Sequence, residues 1–143
     1  MSKKKNIIFI CTGNACRSQI AHGLLQNLAK DRFNVFSAGS HPSRVHLMSI
    51  KVMEEIGIDI SHHTPKPVSK YLDENFDIVA TVCDNARETC PVFTGSSKHQ
   101  IHQGFIDPAD AAGSDGEITE VYRRIRDKIQ IWVDAISWNY LNN

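Results

Sequence analysis

Short apolar runs alternate with stretches of helical periodicity along nearly the whole chain, and this alternation restricts the fold more than any other feature. Residues 6–10 read as a short buried strand that leads into Cys11. From Ser18 a helix begins, with Ile20, Ala21, Leu24, Leu25 and Leu28 at helical spacing. A second strand is expected over 33–37. A second helix is expected over 47–56, with Leu47, Ile50, Met53 and Ile56 as its apolar stripe and Gly57 at its C-terminal cap. Pro65 and Pro67 break the chain before a short helix over 68–73. Strands are expected over 76–82 and 99–103, and a long helix over 117–138. The stripe of that helix is Ile118, Val121, Tyr122, Ile125, Ile129, Trp132, Val133 and Ile136, with Trp132 and Trp138 as core or edge anchors. Strands alternating with helices predict a parallel sheet with helices on both faces, formed as one α/β domain over residues 1–143. Ligands of such sheets bind beyond the carboxyl ends of the strands. Cys11 and Cys83 each come directly after a predicted strand, so both are expected at that crevice.

Between the first strand and the first helix lie Cys11, Thr12, Gly13, Asn14, Ala15, Cys16, Arg17 and Ser18. A loop in this place can turn its backbone N–H groups onto a tetrahedral oxyanion, and the helix N-terminus adds its dipole. Gly13 and Asn14 are residue types that tolerate positive φ. Arg17 can grip two oxygens through its planar fork, and Ser18 can donate its hydroxyl to a cysteine sulfur. Helix N-termini and neighbouring cations favour the thiolate form of cysteines, which makes Cys11 the candidate nucleophile. Cys16 reads as a packing residue behind the loop.

Composition removes several alternatives. Sixteen basic residues balance sixteen acidic ones, giving no net charge, whereas a nucleic-acid binder carries a basic surplus. Lys3, Lys4 and Lys5 read as a solvated end. The longest apolar runs, residues 7–11 and 78–83 (the latter with Thr81 inside it), are far shorter than the ~20 residues of a spanning helix, and too short for a signal-peptide core. The expected location is the cytoplasm. Four cysteines among 143 residues are too few for a disulfide scaffold. They are left as buried thiols, metal ligands or redox catalysts. Their spacings, with four and six intervening residues, match structural zinc sites poorly, and no metal is expected at His62, His63, His99 or His102. No dinucleotide fingerprint is present, so no organic cofactor is expected.

The run from Cys11 to Ser18 resembles the anion-binding loop of the low-molecular-weight protein tyrosine phosphatase family. Ser37-Ala38-Gly39, Gly57-Ile58-Asp59 and Asp107-Pro108 also fit its pattern, and the similarity spans residues 7–136. The resemblance implies a four-stranded parallel sheet flanked by helices. It also implies that Asp107 is the general acid for the leaving group, although Asp-Pro is a turn former as well. The stretch from Cys83 through Cys90 to Pro91 resembles the thioredoxin-coupled arsenate reductases that share this fold. That resemblance implies a relay: Cys11 attacks arsenate, Cys83 attacks Cys11 to give a transient Cys11–Cys83 disulfide, and Cys90 then closes a Cys83–Cys90 disulfide that thioredoxin reduces.

The phosphatases carry a tyrosine pair near the acid. This chain has Ala109-Asp110-Ala111-Ala112 there, which favours the reductase over a phosphate-monoester phosphatase acting through Cys11. Some relatives bind potassium through acidic side chains. At the corresponding positions this chain has His22 and Lys66, although Asn14, Ser37 and Thr64 fit the pattern. A non-enzymatic thiol sensor built on Cys83 and Cys90 would have no use for Arg17 and Ser18. The expected partners are arsenate and thioredoxin, acting on a monomer with no nucleic acid and no membrane. The segment from Cys83 to Cys90 is expected to be partly helical when reduced and to loop out on oxidation.

Overall fold

A computed structural model of the chain describes residues 3–84, 88 and 92–140. Four strands, β1 (Lys5–Cys11), β2 (Phe33–Gly39), β3 (Asn75–Thr81) and β4 (Ser96–His102), form one parallel sheet in the order β2-β1-β3-β4. The helices are α1 (Arg17–Ala29), α2 (Leu47–Glu54) and α3 (Asp115–Tyr140), with single-turn 3-10 segments at Val68–Tyr71 and Pro108–Asp110. The parallel α/β sheet is as the alternation predicts; among the described residues α1 and α3 cover one face, and the 3-10 turn at Val68–Tyr71 with Phe93 covers the other, where helices are also expected.

The position of each strand explains its composition. β1 and β3 are central and covered on both faces, so Ile7, Ile8, Phe9 and Ile10 are all fully buried in an unbroken apolar run. Ile7 and Phe9 face α1 and α3, together with Ile20, Leu24, Leu25, Ile129 and Val133. Ile8 and Ile10 face the other side, where Tyr71 of the first 3-10 turn and Phe93 cover them. β4 is an edge strand and is largely exposed. Its serine, lysine and histidine residues suit an edge, where charge discourages pairing with other chains. They also hide its start from an apolar-run reading.

Several stripe residues are placed differently from expectation. Leu47 begins α2 but is exposed, and Ile56 lies beyond the helix end at Glu54. Leu28 and Trp138 are also exposed, so Trp138 anchors no core. Helical spacing identifies a face, but the end of a helix can project beyond whatever that face packs against. Gly57 has φ +80, which lets the chain reverse after α2 at little cost.

Glu55 ties α2 to α3. Its carboxylate accepts from Arg123 Nη2 at 2.6 Å and from Arg126 Nη1 at 2.9 Å, and Arg126 also donates to the Val52 carbonyl at 2.8 Å. The Arg123 hydrogen bond, with Arg126 behind it, holds the Glu55 carboxyl down at about 2. A carboxylate lowered on folding contributes stability above its unfolded value, 4.5 here, and loses it as pH falls towards the folded one. Glu55→Gln should therefore melt below the parent protein at pH 7, and the gap should narrow between pH 5 and pH 3. A gap independent of pH in thermal melts would show that the tie is not electrostatic.

Candidate active site

The order β2-β1-β3-β4 makes the gap between β1 and β3 the point where successive connections leave in opposite directions. Cys11 closes β1, and Cys83 lies two residues past the end of β3. Both are buried in the same core cluster, and the Cys83 sulfur lies 4.0 Å from the carbonyl of Ile10, the residue before Cys11. The topology thus brings together the two cysteines that the sequence placed at strand ends.

The loop after Cys11 is held open by its neighbours. The carbonyls of Thr12, Gly13 and Ala15 accept from the backbone N–H groups of His41, Ser43 and His46. Trans peptides set each N–H opposite its carbonyl, so the amides of Gly13, Asn14 and Cys16 turn inward. The Asn14 N–H donates to the Cys11 sulfur at 3.2 Å. Asn14 carries the positive φ of the nest, at +48, whereas Gly13 has none. Asparagine tolerates this conformation through its short polar side chain, and here that side chain is fixed at both ends. Its Oδ1 accepts from the Lys66 N–H at 3.0 Å and its Nδ2 donates to Ser18 Oγ at 2.7 Å. With its oxygen accepting, the Ser18 hydroxyl can direct its proton to the Cys11 sulfur, 2.9 Å away. Gly39 backs the loop closely. A Cβ there would lie 2.5 Å from the Thr12 carbonyl and 2.9 Å from the Asn14 nitrogen. This is the physical reason for glycine in Ser37-Ala38-Gly39.

No side chain caps α1 at its N-cap, Cys16, so the first-turn N–H groups face the crevice unclaimed by a cap. Arg17, 2% exposed, lies across the opening. It donates to the Phe105 carbonyl at 3.0 Å and stands 3.6 Å from Asp107 Oδ2. Phe105 is held by its own N–H on the Val82 carbonyl, which carries the next few residues to Asp107. Asp107 also accepts from the Ala109 N–H at 3.0 Å, so the turn role and the position at the site coexist. The crevice of about 440 Å³ is lined by Cys11, Arg17, Arg44, Leu47, Asp107 and Ala109, among others. A cleft of about 620 Å³ by Lys3–Lys5 and Lys98 is lined by no cysteine.

Cys16 packs with Val52 and Tyr122, its sulfur 3.7 Å from the Tyr122 hydroxyl. Burial pushes its thiol up to about 11, so it stays protonated and supports the loop from behind. Cys90 and residues 85–87 and 89 of the segment expected to be partly helical lie outside the described residues, as does Pro91.

The residues at the family's potassium position do not fit a cation. The Ser37 hydroxyl is engaged by His22 Nδ1 at 2.8 Å, and Asn14 Oδ1 is taken by the Lys66 N–H. His22 stacks on His63 with ring centroids 4.6 Å apart. Burial, reinforced by His63 and His62, drives His22 down to about 3, so a neutral ring stands there. Among the described residues no three His, Cys, Asp or Glu side chains converge as a metal site. His99 packs on Tyr140, and His102 bonds Thr81 instead. No described helix is long and apolar enough to cross a membrane.

Sequence reasoning missed Glu88. Its carboxylate pairs with Arg17 at 2.7 and 2.8 Å, and it accepts from Thr12 Oγ1 at 2.7 Å and from the Asp84 N–H at 3.3 Å. Burial raises the Glu88 carboxyl, but the Arg17 and Thr12 hydrogen bonds outweigh it and hold the group below its ordinary value. The only available signal was that a buried arginine needs an anionic partner. Nothing local indicates which of sixteen acids supplies it.

Comparison with known proteins finds relatives of the same fold. A protein from Halalkalibacterium halodurans named arsenate reductase is 45% identical over 126 residues, 88% of this chain and 90% of that protein. A solved structure of an arsenate reductase in oxidized state superposes with a TM-score of 0.78 at 29% identity, over 92% of this chain and 95% of that one. A thioredoxin-dependent arsenate reductase from Corynebacterium glutamicum superposes with a TM-score of 0.64 at 28% identity, over 96% of this chain and 64% of that one. The family model for low molecular weight phosphotyrosine protein phosphatase matches residues 6–139, which take in the loop, its arginine and the Asp-Pro pair. With Cys11, its loop, Arg17 and Asp107 gathered at one switch point, the chain belongs to the low molecular weight phosphotyrosine protein phosphatase family.

Proposed function

We propose that this protein reduces arsenate to arsenite through three cysteines, with thioredoxin as the final reductant. The observation that carries the reading is the second buried thiol, Cys83, beside the strand end that bears Cys11. A loop that holds phosphate also holds arsenate, since the two share shape and charge. The two activities part only after the thiolate has attacked. Thiols do not reduce phosphorus(V), so a phosphorylated cysteine can only be hydrolysed or transferred.

On arsenic, the Cys11 sulfur forms a bond to As(V) while one oxygen leaves as water. Asp107, near Arg17 and at the crevice wall, supplies the proton. Cys83 then attacks the Cys11 sulfur. The electron pair of the S–As bond passes to arsenic, which departs as arsenite, and Cys11–Cys83 is left as a disulfide. Cys90 attacks Cys83, freeing Cys11 as a thiolate, and the dithiol of thioredoxin reduces Cys83–Cys90. Two electrons enter from thioredoxin and two leave on arsenic. The relative from Corynebacterium glutamicum, named for its thioredoxin dependence, supports this choice of reductant. Ala109 at the crevice wall, where the phosphatases carry aromatic residues, supports a small inorganic substrate. A reducing cytosol suits the relay, and a monomer suits it too, since Cys11, Cys83, Arg17 and Asp107 come together within one chain.

The test is a paired assay of arsenate-dependent oxidation of reduced thioredoxin and of aryl-phosphate hydrolysis. Hydrolysis without arsenate-dependent oxidation would make the protein a phosphatase. Asp107→Asn should slow the first chemical step ~10²-fold, the usual scale of a general acid, and leave the Cys83–Cys90 exchange intact. A wild-type rate of arsenate reduction in Asp107→Asn would remove that role.

A further inference from the structure

The contacts of Arg17 divide unevenly over its guanidinium, and the division indicates which part is left for a ligand. A guanidinium has five N–H bonds, one on Nε and two on each Nη. They form two edges that can each grip an anion with two parallel bonds: the Nη1/Nη2 end and the Nε/Nη2 side. Glu88 takes the end, with Oε2 at 2.7 Å from Nη1 and Oε1 at 2.8 Å from Nη2. The other Nη1 proton goes to the Phe105 carbonyl at 3.0 Å. On the side edge, Nε is buried and has no hydrogen-bond partner among the described residues. The second Nη2 proton faces Asp107 Oδ2, too distant at 3.6 Å for a good hydrogen bond.

A buried, unpaired N–H is costly. In an oxyanion-binding site it marks the place where the ligand belongs. The neighbours of Glu88 point the same way. Its carboxylate is held by Arg17, the Thr12 hydroxyl and the Asp84 N–H, and its own N–H donates to the Asp84 carbonyl at 3.0 Å. The sulfur of Cys11 instead receives the Asn14 N–H, from the inner side of the loop. The carboxylate therefore grips the outer rim of the nest and leaves the inner donors to the substrate.

We propose that Glu88 is the positioning residue of the oxyanion site. It clamps Arg17 by the Nη1/Nη2 end, keeps the Nε/Nη2 edge open towards Cys11, and stays in place when the oxyanion binds. The inference rests on the reading of the Cys11 loop as an oxyanion site, but not on which oxyanion is turned over. The clamp also joins Glu88, five residues after Cys83, to Thr12 and Arg17.

Arginine and carboxyl side-chain NMR on the reduced full-length protein tests this, with inorganic phosphate as the probe and Arg17→Lys to assign the signals. Phosphate should shift the Arg17 Nε–H signal saturably while the Glu88 carboxyl carbon stays in place. In Glu88→Gln, phosphate should bind no more tightly. The single-turnover rate at saturating arsenate should fall about 10-fold or more, since small misplacements of a gripping group act mainly on the transition state. If phosphate moves the Glu88 carboxyl and all the Nη signals together, or binds Glu88→Gln more tightly, Glu88 is a competing plug and the proposal is wrong. An unchanged single-turnover rate in Glu88→Gln also overturns it. If no Arg17 signal of the wild type responds to phosphate, the oxyanion reading itself fails, and that result is distinct from displacement of Glu88.

Discussion

Cys11→Ser should lose both arsenate reduction and aryl-phosphate hydrolysis, each by about 10⁴-fold or more, the scale on which removal of a covalent nucleophile acts. The sulfur sits where Ser18 Oγ, at 2.9 Å, and the Asn14 N–H, at 3.2 Å, direct donors at the atom that carries the charge during attack. A serine hydroxyl has no adjacent base to take its proton, so the same donors cannot activate it. Phosphate should still bind, because Arg17 and the inward amides remain. In the parent protein one thiol should be alkylated in a phosphate-protected manner and be identified as Cys11. Cys16, with its thiol pushed up to about 11 by burial, should remain unlabelled. Turnover above about 1% of wild type in Cys11→Ser, well over the residue such a loss leaves, would mean that another group attacks.

The second large effect divides the relay. Cys83→Ser should stop arsenite release altogether, since nothing then attacks the arsenylated Cys11. Cys90→Ser should release one equivalent of arsenite and stop, leaving a Cys11–Cys83 disulfide visible by mass. Both variants should retain slow aryl-phosphate hydrolysis, because the nest and the acid are intact. Sustained turnover with thioredoxin in Cys90→Ser would place thioredoxin directly on Cys11–Cys83 and shorten the relay to two cysteines. The expected loop-out between Cys83 and Cys90 is a separate matter. Amide exchange over residues 84–96, faster in the oxidised than in the reduced protein, would support it.

The sequence alone determined what depends on neighbours along the chain. The unbroken apolar run before Cys11 marks a central strand, because a strand covered on both faces has no use for a polar residue. The helical stripe from Ile20 onward fixes the start of α1. Cys11, Arg17 and Ser18 are therefore legible together, as the last residue of a strand and the first turn of a helix. Tertiary structure decided the pairings made across the sheet. Glu88 reaches Arg17 from 71 residues away, and Asp107 does so only because Phe105 is tied to Val82 at the end of β3. It also gave the positive φ to Asn14 and not to Gly13, because the Lys66 N–H and Ser18 fix the asparagine amide. It left Leu47 and Trp138 in solvent and put a neutral histidine stack beside Ser37. Backbone preference and periodicity act over a few residues and are written locally. The partner of a buried charge is set by which strand ends become neighbours, and that is fixed only when β3 pairs with β1.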